Sequence, residues 1–330
     1  MIRTDTELHP AVVGEASGLS PSRRSVLLHG VAAALMFLSP LVVFVPAAIL
    51  SSGLRNGRKG LWGSTALAAI LLAMLGSLAG SPAAMTPVAR MLFEVGLPSA
   101  VGLELIGRGL AVGPVLVATV LVSFGGVVLV ELVMRSFAGH SPWEAIASNF
   151  RAASEASAAT YEQAGFPAES IAMMERVSSS ILSTWMPLLI GTVTILMFAL
   201  SFTMLPRLRN GRALVPAFLF RNLSLPVWVL FGFIAGGLAP LASGPVRMVG
   251  LNLLGLVALL YLLQGLAVLR FHQVRIRMGI LATMLAVFTL LLLTPYGVTP
   301  AVLFLFGLFD PFFDFRKFNR KEASHESNSD

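Results

Sequence analysis

The chain has 330 residues, 56% of them hydrophobic and only 12% charged, against roughly a quarter charged in a soluble domain; a water-soluble globule could not hide so many apolar side chains. Its net charge of +7 sits in short basic clusters between apolar runs, with no aromatic-interleaved basic patch, which points to membrane topology and anionic headgroups and away from nucleic acid. The lack of any cysteine removes disulfides and cysteine-based metal sites.

Residues 1–22 are polar and without period, and read as a flexible cytoplasmic tail. Residues 23–317 read as a single transmembrane domain, and 318–330 as a polar cytoplasmic tail. Apolar runs fall near 26–38, 41–53, 61–80, 86–107, 112–134, 180–204, 223–243, 248–269, 279–294 and 298–310. The fold class expected is all-α, a polytopic transmembrane helical bundle of about 8–10 membrane segments. The opening "SRRSVLLHGVAAALMFL" has the look of a twin-arginine export signal. Cleavage after Val45-Pro46-Ala47 would strand "LRNGRKG" outside, so Arg23 and Arg24 are read as cytoplasmic flanking charges.

Two stretches are apolar, broken by proline in the middle and basic at both ends. Residues 25–53 break at Ser39-Pro40, and 278–310 break at "TPYGVTP". If both ends are cytoplasmic, each stretch crosses an even number of times or is re-entrant. Each is read as a short Pro-broken helical hairpin. With ten crossings and an inside amino terminus, only Arg90, Arg135, Arg151, Arg176 and Arg247 of the 23 bases fall outside. That asymmetry is read as placing both termini in the cytoplasm.

The outward-facing loop, 136–178, is expected to be helical. Ser141-Pro142-Trp143-Glu144 reads as a capping box and Gly165-Phe166-Pro167 as a stop, with a second helix continuing into the 180–204 span. It is read as a connector or as a lid. "LRNGR" occurs at 54–58 and 208–212, and both copies fit cytoplasmic turns.

Charged and amide groups inside lipid are candidates for function. In 86–107, Arg90 with Glu94 and Glu104 with Arg108 are spaced to pair on one helix, across Pro98. They are interfacial pairs or a polar wall facing a cavity. Glu131 with Arg135 reads as an anchor. Asn252 and Gln264 in "NLLGLVALLYLLQGL" must find partners across helices or on a ligand. Glu94, Glu104, Asn252 and Gln264 are therefore the candidate ligand residues. Gly76 with Gly80, and Gly232 with Gly236, are close-packing signals. Asp310-Pro311 reads as the cap and first turn of a new short helix at the inner surface. Asp310, Asp314, Arg316 and Lys317 then form an interface anchor, with the bases on anionic lipid. The five histidines fall in unrelated segments, and no HExxH, GxSxG or P-loop spacing occurs. No catalytic residue, metal or cofactor is implied, and the reading is of a non-enzyme.

"FVPAAILSSGLRNGRKG" at 44–60, "LSLPVW" at 223–228, "NLLGLVALLYLLQGLAVLRF" at 252–271 and "GLFDPFFDFRK" at 307–317 together resemble the YybS-like bacterial membrane proteins. That family is catalogued as a domain of unknown function. It is distantly similar to the substrate-binding membrane subunits of energy-coupling-factor vitamin transporters. The resemblance implies a small-molecule binding or transport component. It also implies a membrane-protein partner met through small residues on the first helix, where Gly30 and Ala34 stand. The other reading is a non-transporting envelope scaffold.

Overall fold

In the computed structural model the residues described are 22–78, 80, 85–180, 184–208 and 219–316. Among them every regular element is helical, as an all-α polytopic bundle requires. The tail up to residue 21, residues 209–212 of the second "LRNGR", and everything from Lys317 onward lie outside the described residues. Contacts gather into two compact units, Met1–Leu110 with Val115–Arg212, and Ala111–Pro114 with Ala213–Asp330.

The first unit begins with α1 (Arg23–Phe37), capped by the Ser22 hydroxyl, which accepts from the Ser25 amide at 3.4 Å. Ser39 and Pro40 open a 3-10 turn, Pro40–Phe44, that leads into α2 (Val45–Leu78). Helix α2 is interrupted at Gly57, whose φ of 69° and ψ of −168° suit glycine. The chain folds back there. The Ser52 hydroxyl donates to the Gly60 carbonyl at 2.9 Å, a contact that eight residues of straight helix, about 12 Å long, could not make. The Asn-Gly turn expected from the sequence is this reversal. Helix α1 packs along α2 so closely that a Cβ on Gly30 would lie 2.8 Å from the Leu67 side chain.

Helices α3 (Met85–Arg90) and α4 (Leu97–Gly107) are joined without a break by one π-helical stretch, Met91–Gly96. Pro98 supplies no amide to the Glu94 carbonyl, and the Ser123 hydroxyl donates to that carbonyl instead, at 2.8 Å. Pro98 is thus absorbed by a widened turn and a hydroxyl from α5 (Val112–Val133).

Beyond α5, Gly139 at φ 68° ends a short π-helical stretch. The Ser141 hydroxyl then caps α6 (Pro142–Gln163), accepting from the Glu144 amide at 3.0 Å. The second half of the expected box differs. Glu131 accepts from the Ser141 hydroxyl at 2.5 Å and from the Trp143 amide at 3.1 Å, while Glu144 pairs with Arg135 at 2.9 Å. Gly165 at φ 77° turns the chain into α7 (Ala168–Ser180), and α8 (Met186–Leu208) follows.

The second unit is built around α10 (Pro245–Arg275), with α9 (Val229–Leu238) and α12 (Val298–Phe313) packed on it. Glycine sets both contacts. A Cβ on Gly236 would stand 2.8 Å from the Leu254 amide nitrogen. A Cβ on Gly265 would stand 1.8 Å from the Leu303 carbonyl oxygen, and one on Gly307 1.8 Å from that of Tyr261. Phe233, Tyr261 and Phe304 fill the space between the three helices, with ring centroids 5.5 to 6.3 Å apart. Helix α11 (Ile280–Leu293) meets α12 at 109°, with Gly297 at φ 72° in the turn. Nearly all its residues, Leu281, Met284 and Phe288 among them, are exposed on the protein surface, an arrangement that suits lipid rather than water.

Four helical stretches among the described residues are long and apolar enough to cross a membrane: Pro40–Leu78 (with its break at Gly57), Val112–Phe137, Met186–Leu205 and Pro245–Arg275. The count rises to five if α11 and α12 form one bent span. The expected 8–10 segments also take in shorter apolar runs, which proline and glycine divide into helices such as α1, α9, α11 and α12. The 15 residues of α1 reach about 22 Å, short of the roughly 30 Å hydrocarbon core.

Candidate functional site

Two polar constellations, one in each unit, differ in whether their donors are already used. In the first unit, the Gly57 reversal puts Arg58 at the start of the returning helix and brings it to Glu104, 46 residues away, on the last turn of α4. Arg58 bonds Oε2 of Glu104, and Arg108 bonds Oε1 through both Nε and Nη2 at 3.4 Å. One carboxylate therefore holds two guanidiniums, and the three side chains together carry a charge of +1. These three residues edge a cleft of about 400 Å³ whose wall is Leu61, Trp62, Val101 and Leu103. Among the described residues no other acceptor meets Arg58 or Arg108. Donors remain available on both, since a guanidinium carries five N–H groups.

In the second unit the polar groups are closed on themselves. Residues 223–226 form no regular element, and such backbone, once buried, must have its N–H and C=O groups satisfied. Gln264, fully buried, accepts from the Leu225 amide at 2.9 Å and donates to Asp310 at 3.0 Å. Arg316, 3% exposed, pairs with Asp310, 4% exposed. Arg316 Nε lies 3.3 Å from the second oxygen of that carboxylate, and its Nη1 donates to the carbonyls of Arg221 at 3.1 Å and Leu223 at 3.0 Å. Beside this stretch, at the first turn of α5, a Cβ on Gly113 would stand 1.8 Å from the Ser224 carbonyl oxygen. The segments "LSLPVW", "LLQGL" and "GLFDPFFDFR" thus meet at one network.

The lower end of α12 departs from expectation. Asp310 does not cap a new helix: α12 runs through Pro311 to Phe313, because the carboxylate turns to Arg316 and Gln264 instead of to the amides that follow it. Asp314, at φ 42° and ψ 57°, caps the carboxyl end of α12 and reverses the chain. That reversal carries Arg316 inward, where it is buried against Asp310 and not spread on headgroups. Lys317 lies outside the described residues.

Of the four candidate ligand residues, Glu104 alone lines the cleft. Glu94 accepts from Arg90 Nε at 3.0 Å and is largely shielded. It stands ten residues from Glu104 on one helical rod, about 15 Å away. Asn252 donates to the Met248 carbonyl at 2.8 Å, one turn back, and is separated by about 18 Å of helix from Gln264. The Arg58 contact was missed from the sequence because it spans 46 residues. The shared basic flank of residues 55–59 and 108, which placed both loops on one side, was the available signal. Among the described residues no three His, Asp or Glu side chains gather as metal ligands.

The sequence model of a family described as "Predicted membrane protein (DUF2232)" matches residues 25–311. No curated protein matches the chain, and no solved structure does.

Proposed function

The chain belongs to this family of membrane proteins, and on that premise we propose that it binds a small molecule as a transport component of the bacterial inner membrane, with both termini in the cytoplasm. The reading of sidedness is supported by contacts that join segments of like assignment. The Ser22 amide donates to Asn56 at 3.3 Å, and Arg58 meets Glu104; all lie in segments read as cytoplasmic. Thr86 and His140, in segments read as external, bond at 3.1 Å.

The observation that carries the binding role is the cleft at Glu104. It is a concave site with an apolar wall and a few convergent charged groups, the usual make-up of a small-molecule pocket. The network around Gln264, whose buried side chains bond one another and the backbone of the irregular stretch, serves to hold the fold. The cleft acts by binding, not by catalysis.

The test is to purify the protein, identify co-purifying small molecules by native mass spectrometry, and follow melting with and without them. Arg58→Ala, which removes one of the convergent charged groups at the cleft, is expected to weaken ligand-dependent stabilisation while leaving the helical circular dichroism intact. A ligand response unchanged by this substitution counts against the reading.

The scaffold alternative has its own support. Helices α6 and α7 enclose a groove of about 620 Å³ edged by Tyr161, Met173, Met174 and Val177, a surface suited to another protein. Loss of a cross-linked membrane partner on Met173→Ser with Met174→Ser, without change in ligand binding, would favour it.

A further inference from the structure

Building on the small-molecule reading above, we infer that the cleft of Arg58, Glu104 and Arg108 is a phosphodiester site for an anionic amphiphile, a phospholipid held by its headgroup phosphate. Three features of the cleft lead there.

The first is charge. Glu104 divides its two oxygens between the guanidiniums, Oε2 to Arg58 and Oε1 to Arg108, so it spaces the cations without cancelling both. The surplus of one positive charge calls for one negative charge, the charge of a phosphodiester. Planar guanidinium forks suit phosphate oxygens better than any other side chain.

The second is shape. About 400 Å³ lies near the lower end of small-molecule pockets, roughly 300–1,000 Å³. It has room for a phosphate and its glycerol but not for two acyl chains, which must leave along an apolar path. Leu61, Trp62, Val101 and Leu103 provide that path from the charged edge.

The third is depth. Trp62 follows Arg58 by one helical turn and is partly exposed, as tryptophan is where a bilayer's headgroups begin. The cleft then opens where phospholipid phosphates already lie, whereas a soluble phosphate ester gains nothing from the apolar wall.

The test uses the full chain in a neutral detergent, with phosphatidylglycerol and phosphatidylcholine compared by native mass spectrometry and by thermal melting. Both lipids carry the phosphodiester, but only phosphatidylglycerol bears net negative charge. It is expected to be retained about fivefold more than phosphatidylcholine, the worth of one basic residue against an anionic headgroup. Arg58→Ala and Arg108→Ala should each erase the preference. Both side chains are mostly exposed, so the fold should survive, as circular dichroism will verify. Equal retention of the two lipids, or a preference indifferent to both substitutions, overturns the inference. Protection by soluble glycerol 3-phosphate equal to that by phosphatidylglycerol overturns the lipid as the source. An uncharged metabolite whose binding is lost on Glu104→Ala sinks the phosphodiester site and leaves the small-molecule reading standing. If no ligand depends on any of the three residues, both readings fall.

Discussion

A guanidinium sealed away from water costs several kcal/mol unless its donors are used, and Arg316 spends its donors on Asp310 and on the Arg221 and Leu223 carbonyls. Arg316→Met leaves Asp310 buried without its counter-ion and two carbonyls unmet, and is expected to destabilise the protein by about 3–5 kcal/mol. Adding Asp310→Asn to it should restore part of that loss. Denaturant titration of the two variants measures both effects, and a double variant weaker than the single one would contradict the pairing. At the other extreme, the buried hydroxyls of Ser99 and Ser201 meet no hydrogen-bond partner among the described residues. Ser99→Ala and Ser201→Ala should each leave the melting temperature unchanged or raise it, by up to about 1 kcal/mol in stability. A loss of similar size in either variant would reveal a partner for that hydroxyl. The sequence alone brought Gln264 forward as a buried amide and Asp310 as a helix cap and inner-surface anchor. Their joint dependence on Arg316 stayed hidden because it needs the left-handed conformation of Asp314, which no spacing rule announces.

Close helix packing is where glycine at the element scale has a measurable consequence. Gly265 and Gly307 let α10 and α12 touch backbone to backbone. Gly307→Ala should force them apart and cost about 1–3 kcal/mol, seen as a lower melting temperature. Gly125→Ala, on α5 with nothing within 4 Å of the added Cβ, should instead stabilise by about 0.5–1 kcal/mol. If the two alanine variants melted alike, close approach would not be what Gly307 provides. Periodicity and caps made most of these elements readable: the Ser141 cap and the Gly165 stop lie where the sequence put them. The effect of Pro98 was not readable. A proline ends a helix or is absorbed by it according to whether a donor elsewhere takes the freed carbonyl, and Ser123 comes from a different helix.

For the molecule as a whole, the helical membrane class was legible from composition alone, while the cleft was only half legible. Glu104 stood out as a charge at the end of an apolar run. Arg58 and Trp62 did not, since a base and a tryptophan near a turn are ordinary interfacial residues. Sidedness is open to a direct check, because a chain without cysteine is a clean background for labelling. Asn56→Cys should react with a membrane-impermeant maleimide only after cells are opened, and Ser154→Cys should react in intact cells. The reverse pattern would invert the threading. Timing follows from the clamp on the irregular stretch. Its Leu223 carbonyl bonds a side chain 93 residues further along, so a ribosome adding about 5–20 residues per second delivers the partner roughly 5–20 seconds later. Until then the nascent stretch must stay hydrated or be shielded by the insertion machinery, and this half of the protein can mature only once translation has passed that arginine.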